Sequence, residues 1–545
     1  MGIRFMPLLY FNSILVPFSY NLIEMKKNIR GLQYAVLLLL LLLIGCKNSQ
    51  TNQTGASLFH SVPEMEGVSS EGILTFLDSA ATSRHEFHSI VFLRHGKVIA
   101  EGWWSPYGPE FKQTLYSTSK SFTSTAVGFA ISEKHLTVND KVISFFPKDL
   151  PDSVSPFLAE MRVKDLLTMS AGLDPDPTQS VVVKDSNWVK AFLALPVLNK
   201  PGTKFLYNSL ATYMLSAIVQ KVTGEKVVDY LMPRLFKPLN IEGVDWEIDP
   251  RGINTGGWGL RVKTEDMAKF GQLYLQKGKW NGKQILPKGW VEEATTFKID
   301  QAPDEPKLKK DLSDWMQGYC YQFWRCRNNA FRADGAFGQY IIVMPDKDAV
   351  IAIQAESPDM QDEINLVWKY LLPSIKDGKL PENITMSEKL KQRLSSLALP
   401  LLTKGVDSPV AARVSQKVYA FKPNDLNFES LSFSFMEDMC HVTLNSGKTD
   451  YNLTFEAGKW IGGETSLPGP NLLKLAKSHN VGFPPEKVFG CFTWKDENTL
   501  ELVLRYIESP HTEKITCRFD GKKIAVDIQY SNVHGASKPI SGEMR

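Results

Sequence analysis

The chain has 545 residues, 43% of them apolar and 22% charged, with a formal net charge of +3. That length allows two or three domains, and the near-balanced charge gives no electrostatic case for nucleic acid as a partner. There is no long like-charge block, low-complexity tract or internal repeat, which leaves ordinary globular domains.

The first element is an apolar run from Ala35 to Gly45, preceded by Met25-Lys26-Lys27-Asn28-Ile29-Arg30. A basic stretch before a short apolar run reads as a signal segment over residues 1–45, with Met25 as the expected true start. The run is short for a membrane-spanning helix. Leu43-Ile44-Gly45-Cys46 has the form of a bacterial lipoprotein cleavage site. Cys46 is therefore expected to carry lipid, and residues 46–62 to form a tether. The expected location is the cell envelope, at the periplasmic or outer-membrane face, with the membrane as a partner through Cys46.

Residues Ser89 to Trp104 read as a hairpin turning at His95-Gly96. Ser117-Thr118-Ser119-Lys120 follows, where a strand-like stretch gives way to a helix. Positions i and i+3 share a helical face, so Lys120 can reach Ser117. A serine hydroxyl needs an adjacent base to become a nucleophile. A lysine that loses water on burial has a depressed pKa and can be that base. The alternative for such a tetrad is a solvated helical face.

Helices fill much of 117–240. Pro201 to Ser209 lead into an amphipathic helix carrying Leu210, Tyr213, Met214, Ala217, Ile218 and Val222, with Gly224 as its left-handed stop. Tyr207 thus lies on the loop before a helix, where it either points into a cleft or anchors the loop. Trp188 reads as packing rather than cleft wall. Gly256-Gly257-Trp258-Gly259 lacks the lysine-serine/threonine pair of a phosphate loop. It reads as a tight turn before a helix capped by Thr264.

Strands return from Gly318 to Glu356, including Phe331 to Tyr340. Glycines at a strand edge allow a substrate to approach, and a backbone N–H there can face a developing oxyanion. The alternative is a hairpin turn at Asp334-Gly335. Residues 379–414 read as a linker with a helix from Ser387 to Leu397. From 415 to 545 the alternation of Ser432-Phe433-Ser434-Phe435 and of Leu500, Leu502, Leu504 and Tyr506 marks strands. The expected architecture is α+β. An antiparallel sheet flanked by helices, with a helical subdomain beside it, spans 63–378 and holds a cleft, and a small C-terminal all-β domain follows.

Of the six cysteines, Cys46 is assigned to lipid. Cys320 and Cys326 on one strand would lie about 20 Å apart and could not pair, whereas a turn between them would permit a disulfide. One pair is open among Cys440, Cys491 and Cys517, and buried thiols are expected for most. His85-x-x-His88 has no third ligand nearby, so no metal and no cofactor are expected.

The ordered set of Ser117-x-x-Lys120, Tyr207-x-Ser209 and a small-residue triplet ending in Gly335 resembles the serine β-lactamase and penicillin-binding-protein superfamily. It is most similar to the class C β-lactamase-related branch, with its esterases, D-amino-acid peptidases and 6-aminohexanoate-dimer hydrolases. Leu166-Leu167-Thr168-Met169-Ser170-Ala171-Gly172-Leu173, Leu235-Phe236-Lys237-Pro238-Leu239-Asn240-Ile241 and Gly256-Gly257-Trp258-Gly259-Leu260 match further segments of that branch, with Met169 where histidine is usual. The resemblance spans roughly residues 65 to 375. It implies a β-lactamase/transpeptidase-like fold, Ser117 as nucleophile, Lys120 as its base or relay and Tyr207 as proton shuttle to the leaving group. It implies an oxyanion hole from the N–H groups of Ser117 and Ala336, with Ser209, Asp334 and Gly335 at the substrate. The third triplet is Ala333-Asp334-Gly335 where β-lactamases carry Lys-Thr-Gly, and Ser209 stands where asparagine is common. Both changes point away from β-lactams, toward a small-molecule or peptide amide or ester. The alternatives are a D,D-peptidase or weak β-lactamase, and a non-hydrolytic penicillin-binding-like protein.

Overall fold

The computed structural model describes residues 58–473, 475–533 and 538–545. The apolar run, Met25 and Cys46 lie outside them. Among the described residues no helix is long and apolar enough to cross a membrane.

The first half is organised by a seven-stranded sheet. Its strands are β1 (Phe59–His60), β2 (Glu86–Arg94), β3 (Lys97–Trp103), β4 (Trp324–Arg325), β5 (Phe331–Gly335), β6 (Gln339–Met344) and β7 (Ala349–Glu356), in the order β1-β3-β2-β7-β6-β5-β4. All neighbours pair antiparallel except β1 with β3. Phe59 and His60 already extend the edge strand, pairing with Lys97 and Val98. The β2–β3 hairpin turns at His95-Gly96, with φ of 51° and 73°, the two left-handed residues a tight hairpin needs.

The strands are apolar on both faces because both faces are covered. Helix α1 (Ser70–Thr82) packs Ile73, Phe76 and Leu77 against one side. The helical subdomain, with α2 (Ser119–Ser132) and α3 (Ser209–Thr223), lies beside the sheet. On the other side runs α4 (Thr264–Leu275), so close that a Cβ on Gly271 would meet Val350 and Ile341 at 2.6 and 2.7 Å. Thr264 does not cap this helix. Its hydroxyl is buried against Ser89 Oγ and Gln354 Oε1, at 2.6 and 2.7 Å, and Lys263 occupies the cap position.

Residues 379–414 dock on the sheet domain through part of their length. Their helix α5 runs Ile384–Ser395, and Leu390, Leu397 and Leu399 are buried in the core of the sheet domain. The C-terminal part has ten strands: β8 (Val418–Phe421), β9 (Ser430–Met436), β10 (Met439–Ser446), β11 (Thr449–Ala457), β12 (Ile461–Thr465), β13 (Glu486–Asp496), β14 (Thr499–Tyr506), β15 (Thr512–Asp520), β16 (Lys523–Tyr530) and β17 (Ile540–Met544). Parallel pairing of β11 with β13, Glu456 opposite Cys491, closes nine of them into a barrel. Its inward positions (Leu431, Phe433, Val442, Leu502, Phe519) fill the lumen, leaving a cavity of about 10 Å³. That is at most room for one water, so the lumen is a core and not a ligand site.

Cys320, Cys326, Cys440, Cys491 and Cys517 are buried free thiols. Cys326 Sγ accepts from Arg332 Nη1 at 3.1 Å, and Cys320 Sγ donates to the Thr295 carbonyl at 3.2 Å. His85 and His88 are tied to Ser357 and Asp362, and to Glu86 and Gln113, respectively. Among the described residues no group of three His, Cys, Asp or Glu side chains is placed to hold a metal ion.

Candidate active site

Ser117 sits on a turn, not yet on a helix. The strand Gln113–Thr114 ends, Tyr116–Thr118 form one 3₁₀ turn, and α2 begins at Ser119. To make this corner Tyr116 adopts φ 46°, a left-handed conformation unusual for an aromatic residue. The helix that follows is polar yet buried, which rules out a solvated face. Its hydroxyls replace water with carbonyls from four directions: Thr118 to Gln339, Ser121 to Gln322, Thr123 to Gly256 and Ser124 to Tyr321, all at 2.6–2.9 Å.

Lys120 is carried inward by this helix and is only 1% exposed. Its Nζ donates to Ser209 Oγ at 2.9 Å and to the Gly257 carbonyl at 2.6 Å, and lies 5.1 Å from the centre of the Tyr207 ring. Burial lowers its pKa from the usual lysine range to about 7, against the opposing pull of Asp176 and Asp334. A neutral amine has two protons and one lone pair. With both protons spent on Ser209 and Gly257, the lone pair is what remains for chemistry. Gly257 was read as turn punctuation only. A Cβ there would meet the Ser209 carbonyl at 2.8 Å and Lys120 Nζ at 3.2 Å, so the glycine is what lets its carbonyl hold the lysine.

Tyr207 lies on the loop before α3 and lines the same cavity as Ser117. Burial pushes the phenol well above its usual range, so it is a neutral donor. The loop is held from both sides. Asn208 caps α3 through its side-chain oxygen, which accepts from Leu210 and Ala211 N–H. Met169, the departure from histidine, accepts from Asn208 N–H on its sulfur at 3.3 Å and from Leu206 N–H on its carbonyl at 2.8 Å.

On the opposite wall, the β5–β6 hairpin does not turn at Asp334-Gly335. Gly335 still pairs with Gln339, and the loop is Ala336-Phe337-Gly338. Gly335 must be glycine, since a Cβ would stand 2.2 Å from the Leu115 carbonyl, beside the turn that carries Ser117. Asp334 is neutralised within its own strand. Residues i and i+2 share a face, and Arg332 Nε meets Asp334 Oδ2 at 2.7 Å. Arg332 is fully buried, lies 4.3 Å from the centre of the Trp315 ring, and donates to the Asp314 carbonyl at 2.8 Å.

These residues surround one cavity of about 530 Å³, lined by Ser117, Tyr207, Ser209, Asp334 and Ala336. Asp176, Trp258, Trp315, Trp324 and Met360 complete its walls, with Leu472 and Leu473 from the C-terminal domain. Trp188 is instead fully buried against Tyr213 and Trp258. The sequence had no signal for Leu472 and Leu473, which lie on the long loop between β12 and β13.

A sheet with flanking helices thus brings a serine, a lysine and a tyrosine to one cleft. Residues 85–369 match the family described as Beta-lactamase, over more than half of the chain, and the chain belongs to that family. It is a β-lactamase-family hydrolase. It is 26% identical over 289 residues to the 6-aminohexanoate-dimer hydrolase of Paenarthrobacter ureafaciens, covering 50% of this chain and 73% of the relative. It is 25% identical over 167 residues to protein flp of Staphylococcus aureus, covering 28% of this chain and 33% of that one. Among solved structures, a Bacillus anthracis protein provisionally named a 6-aminohexanoate-dimer hydrolase shares the fold, with a TM-score of 0.50, 20% identity, and 60% of this chain and 89% of that one covered.

Proposed function

We propose that this chain is a serine hydrolase that cleaves an amide or ester through an acyl-Ser117 intermediate. The observation that carries this reading is the set gathered at one cleft: Ser117, Tyr207 and Ser209 line it, and a buried Lys120, its pKa lowered to about 7, donates to Ser209 and lies 5.1 Å from the centre of the Tyr207 ring. Ser117 Oγ attacks the carbonyl carbon and passes its proton into the Tyr207–Lys120 pair. The oxyanion forms between the N–H groups of Ser117 and Ala336. Collapse breaks the bond to the amine or alcohol, which leaves with the proton. Water then attacks the acyl-serine, releases the acid and restores Ser117.

The cavity wall bears Asp176 and Asp334, and no arginine or lysine among its described lining residues. With Asp334 paired to Arg332, Asp176 among aromatic walls favours a neutral or cationic acyl portion over a carboxylate-bearing β-lactam or D,D-peptide. The Paenarthrobacter relative is named for a dimer of an amino acid, and such a dimer is an amide. Lipid on Cys46 would hold the enzyme at the cell envelope.

The test is intact mass after treating the full chain, extracted from membranes, with a fluorophosphonate, beside Ser117→Ala. One adduct on wild type and none on the variant is expected. No adduct on either would sink the nucleophile assignment. The same spectrum reads Cys46: a chain cleaved before it and carrying acyl groups is expected, and an unprocessed chain would remove the lipid anchor.

A further inference from the structure

The C-terminal domain reaches the turn that carries Ser117. His511, on the turn between β14 and β15, is fully buried. Its Nε2 lies 2.6 Å from the hydroxyl of Tyr116 and its Nδ1 lies 2.6 Å from Glu356 Oε1, at the end of β7. A carboxylate only accepts, so Nδ1 carries the proton to Glu356 and Nε2 accepts from the tyrosine. Ser531 donates to the same Glu356 oxygen at 2.7 Å. The imidazole also stands edge-on to Phe337, with centroids 4.7 Å apart and planes at 87°.

The two residues that His511 touches are the neighbours of the two oxyanion donors. Tyr116 precedes Ser117, and Phe337 follows Ala336. Both hold positive φ, 46° and 65°, in conformations that non-glycine residues keep only when their surroundings impose them. Their rings lie 5.5 Å apart, so one imidazole braces both sides of the hole. The turn itself is anchored, because the Glu508 carbonyl accepts from Thr114 N–H at 2.9 Å and Glu508 pairs with Arg261 at 3.0 Å.

We infer that His511 is a positioning residue for the oxyanion hole, so that the barrel domain completes the active site of the sheet domain. The inference rests on Ser117 being the nucleophile. A misplacement of about 1 Å can cost about 10²-fold in rate, and removing one oxyanion donor costs about 10²–10³-fold.

The experiment compares wild type, Tyr116→Phe, His511→Ala, His511→Gln and the Tyr116→Phe/His511→Ala pair, all in the full chain. It reads fluorophosphonate labelling rate and kcat and KM for p-nitrophenyl butyrate. His511→Ala should lower both labelling and kcat about 10- to 100-fold with KM changed less than about twofold. Glutamine, which can accept from Tyr116 and donate to Glu356, should recover most of the loss. The pair should be no worse than His511→Ala alone, since both act through one hydrogen bond. Tyr116→Phe keeps the ring packing, so it tests the bond even where the alanine variant folds poorly. Wild-type labelling and kcat in Tyr116→Phe and His511→Gln, with multiplicative losses in the pair, would overturn the role, as would a loss confined to KM. An unlabelled wild type would remove the nucleophile, and this role with it.

Discussion

Replacing Lys120 with methionine is expected to silence turnover while making the protein harder to unfold. General-base assistance is worth about 10²–10⁴-fold, and methionine retains the volume of the chain but no lone pair on nitrogen. The stability gain follows from linkage. Burial lowers the Lys120 pKa to about 7 from a reference of 10.5. The unfolded chain therefore binds a proton that the folded one does not, throughout the window from 7 to 10.5. The stability attached to this group is complete above the unfolded value and is lost as pH falls to the folded one. Over that window the loss is about 4–5 kcal/mol. Methionine avoids it but leaves the Gly257 carbonyl and Ser209 hydroxyl without their donor, which costs about 1–3 kcal/mol. A net gain of about 2 kcal/mol near pH 7 should remain, and it should shrink toward pH 10. Urea unfolding of both proteins at pH 7 and pH 9.5 reads it directly. A difference between the two that does not move with pH would show that Lys120 is protonated in the fold. The same titration predicts that wild-type kcat rises through about pH 7, as the amine becomes free to accept a proton.

Replacing Arg332 with methionine should have the opposite consequence, a loss of about 3–5 kcal/mol. Asp334 is 8% exposed and its carboxyl is pushed up by burial, with Arg332 as the first group holding it down. Without Arg332 the carboxylate is buried beside Asp314 with its ion pair gone, and the Asp314 carbonyl and Trp315 lose a donor and a cation. Asp334 then takes a proton. A raised acid pKa means that stability present below the unfolded value is lost as pH rises, so the defect should deepen from pH 5 to pH 8. Adding Asp334→Asn should recover part of it by removing the stranded charge. Urea midpoints for the single and double variants at the two pH values measure this. A single-variant loss under about 1 kcal/mol, or no recovery in the double, would show the pair to be solvated.

The sheet domain and the barrel were legible because burial imposes local patterns. The β2–β3 hairpin is written in alternation and in His95-Gly96. The α3 helix is written in its apolar spacing and in Gly224. The loop that carries Tyr207 follows from where that helix must start. The alternative of a hairpin turn at Asp334-Gly335 rests on a good turn pair. Register decided otherwise, since Gly335 is needed where the strand passes the Leu115 carbonyl. Residues 379–414 read as a linker carrying a helix, and α5 is mostly polar. One buried stripe around Leu390 is enough to dock it.

By itself, the sequence determined which chemistry the chain could attempt: a hydroxyl and an amine three residues apart at a helix start, a tyrosine before a second helix, and a glycine-edged strand. Only the tertiary structure decided how those groups are tuned. The Gly257 carbonyl that fixes Lys120 lies 137 residues away, and His511 meets Tyr116 across 395 residues. Periodicity reports which face of an element is buried, since that depends on neighbours in the chain. It carries no information on which distant element arrives to cover the face, because that contact is set by closure of the whole fold.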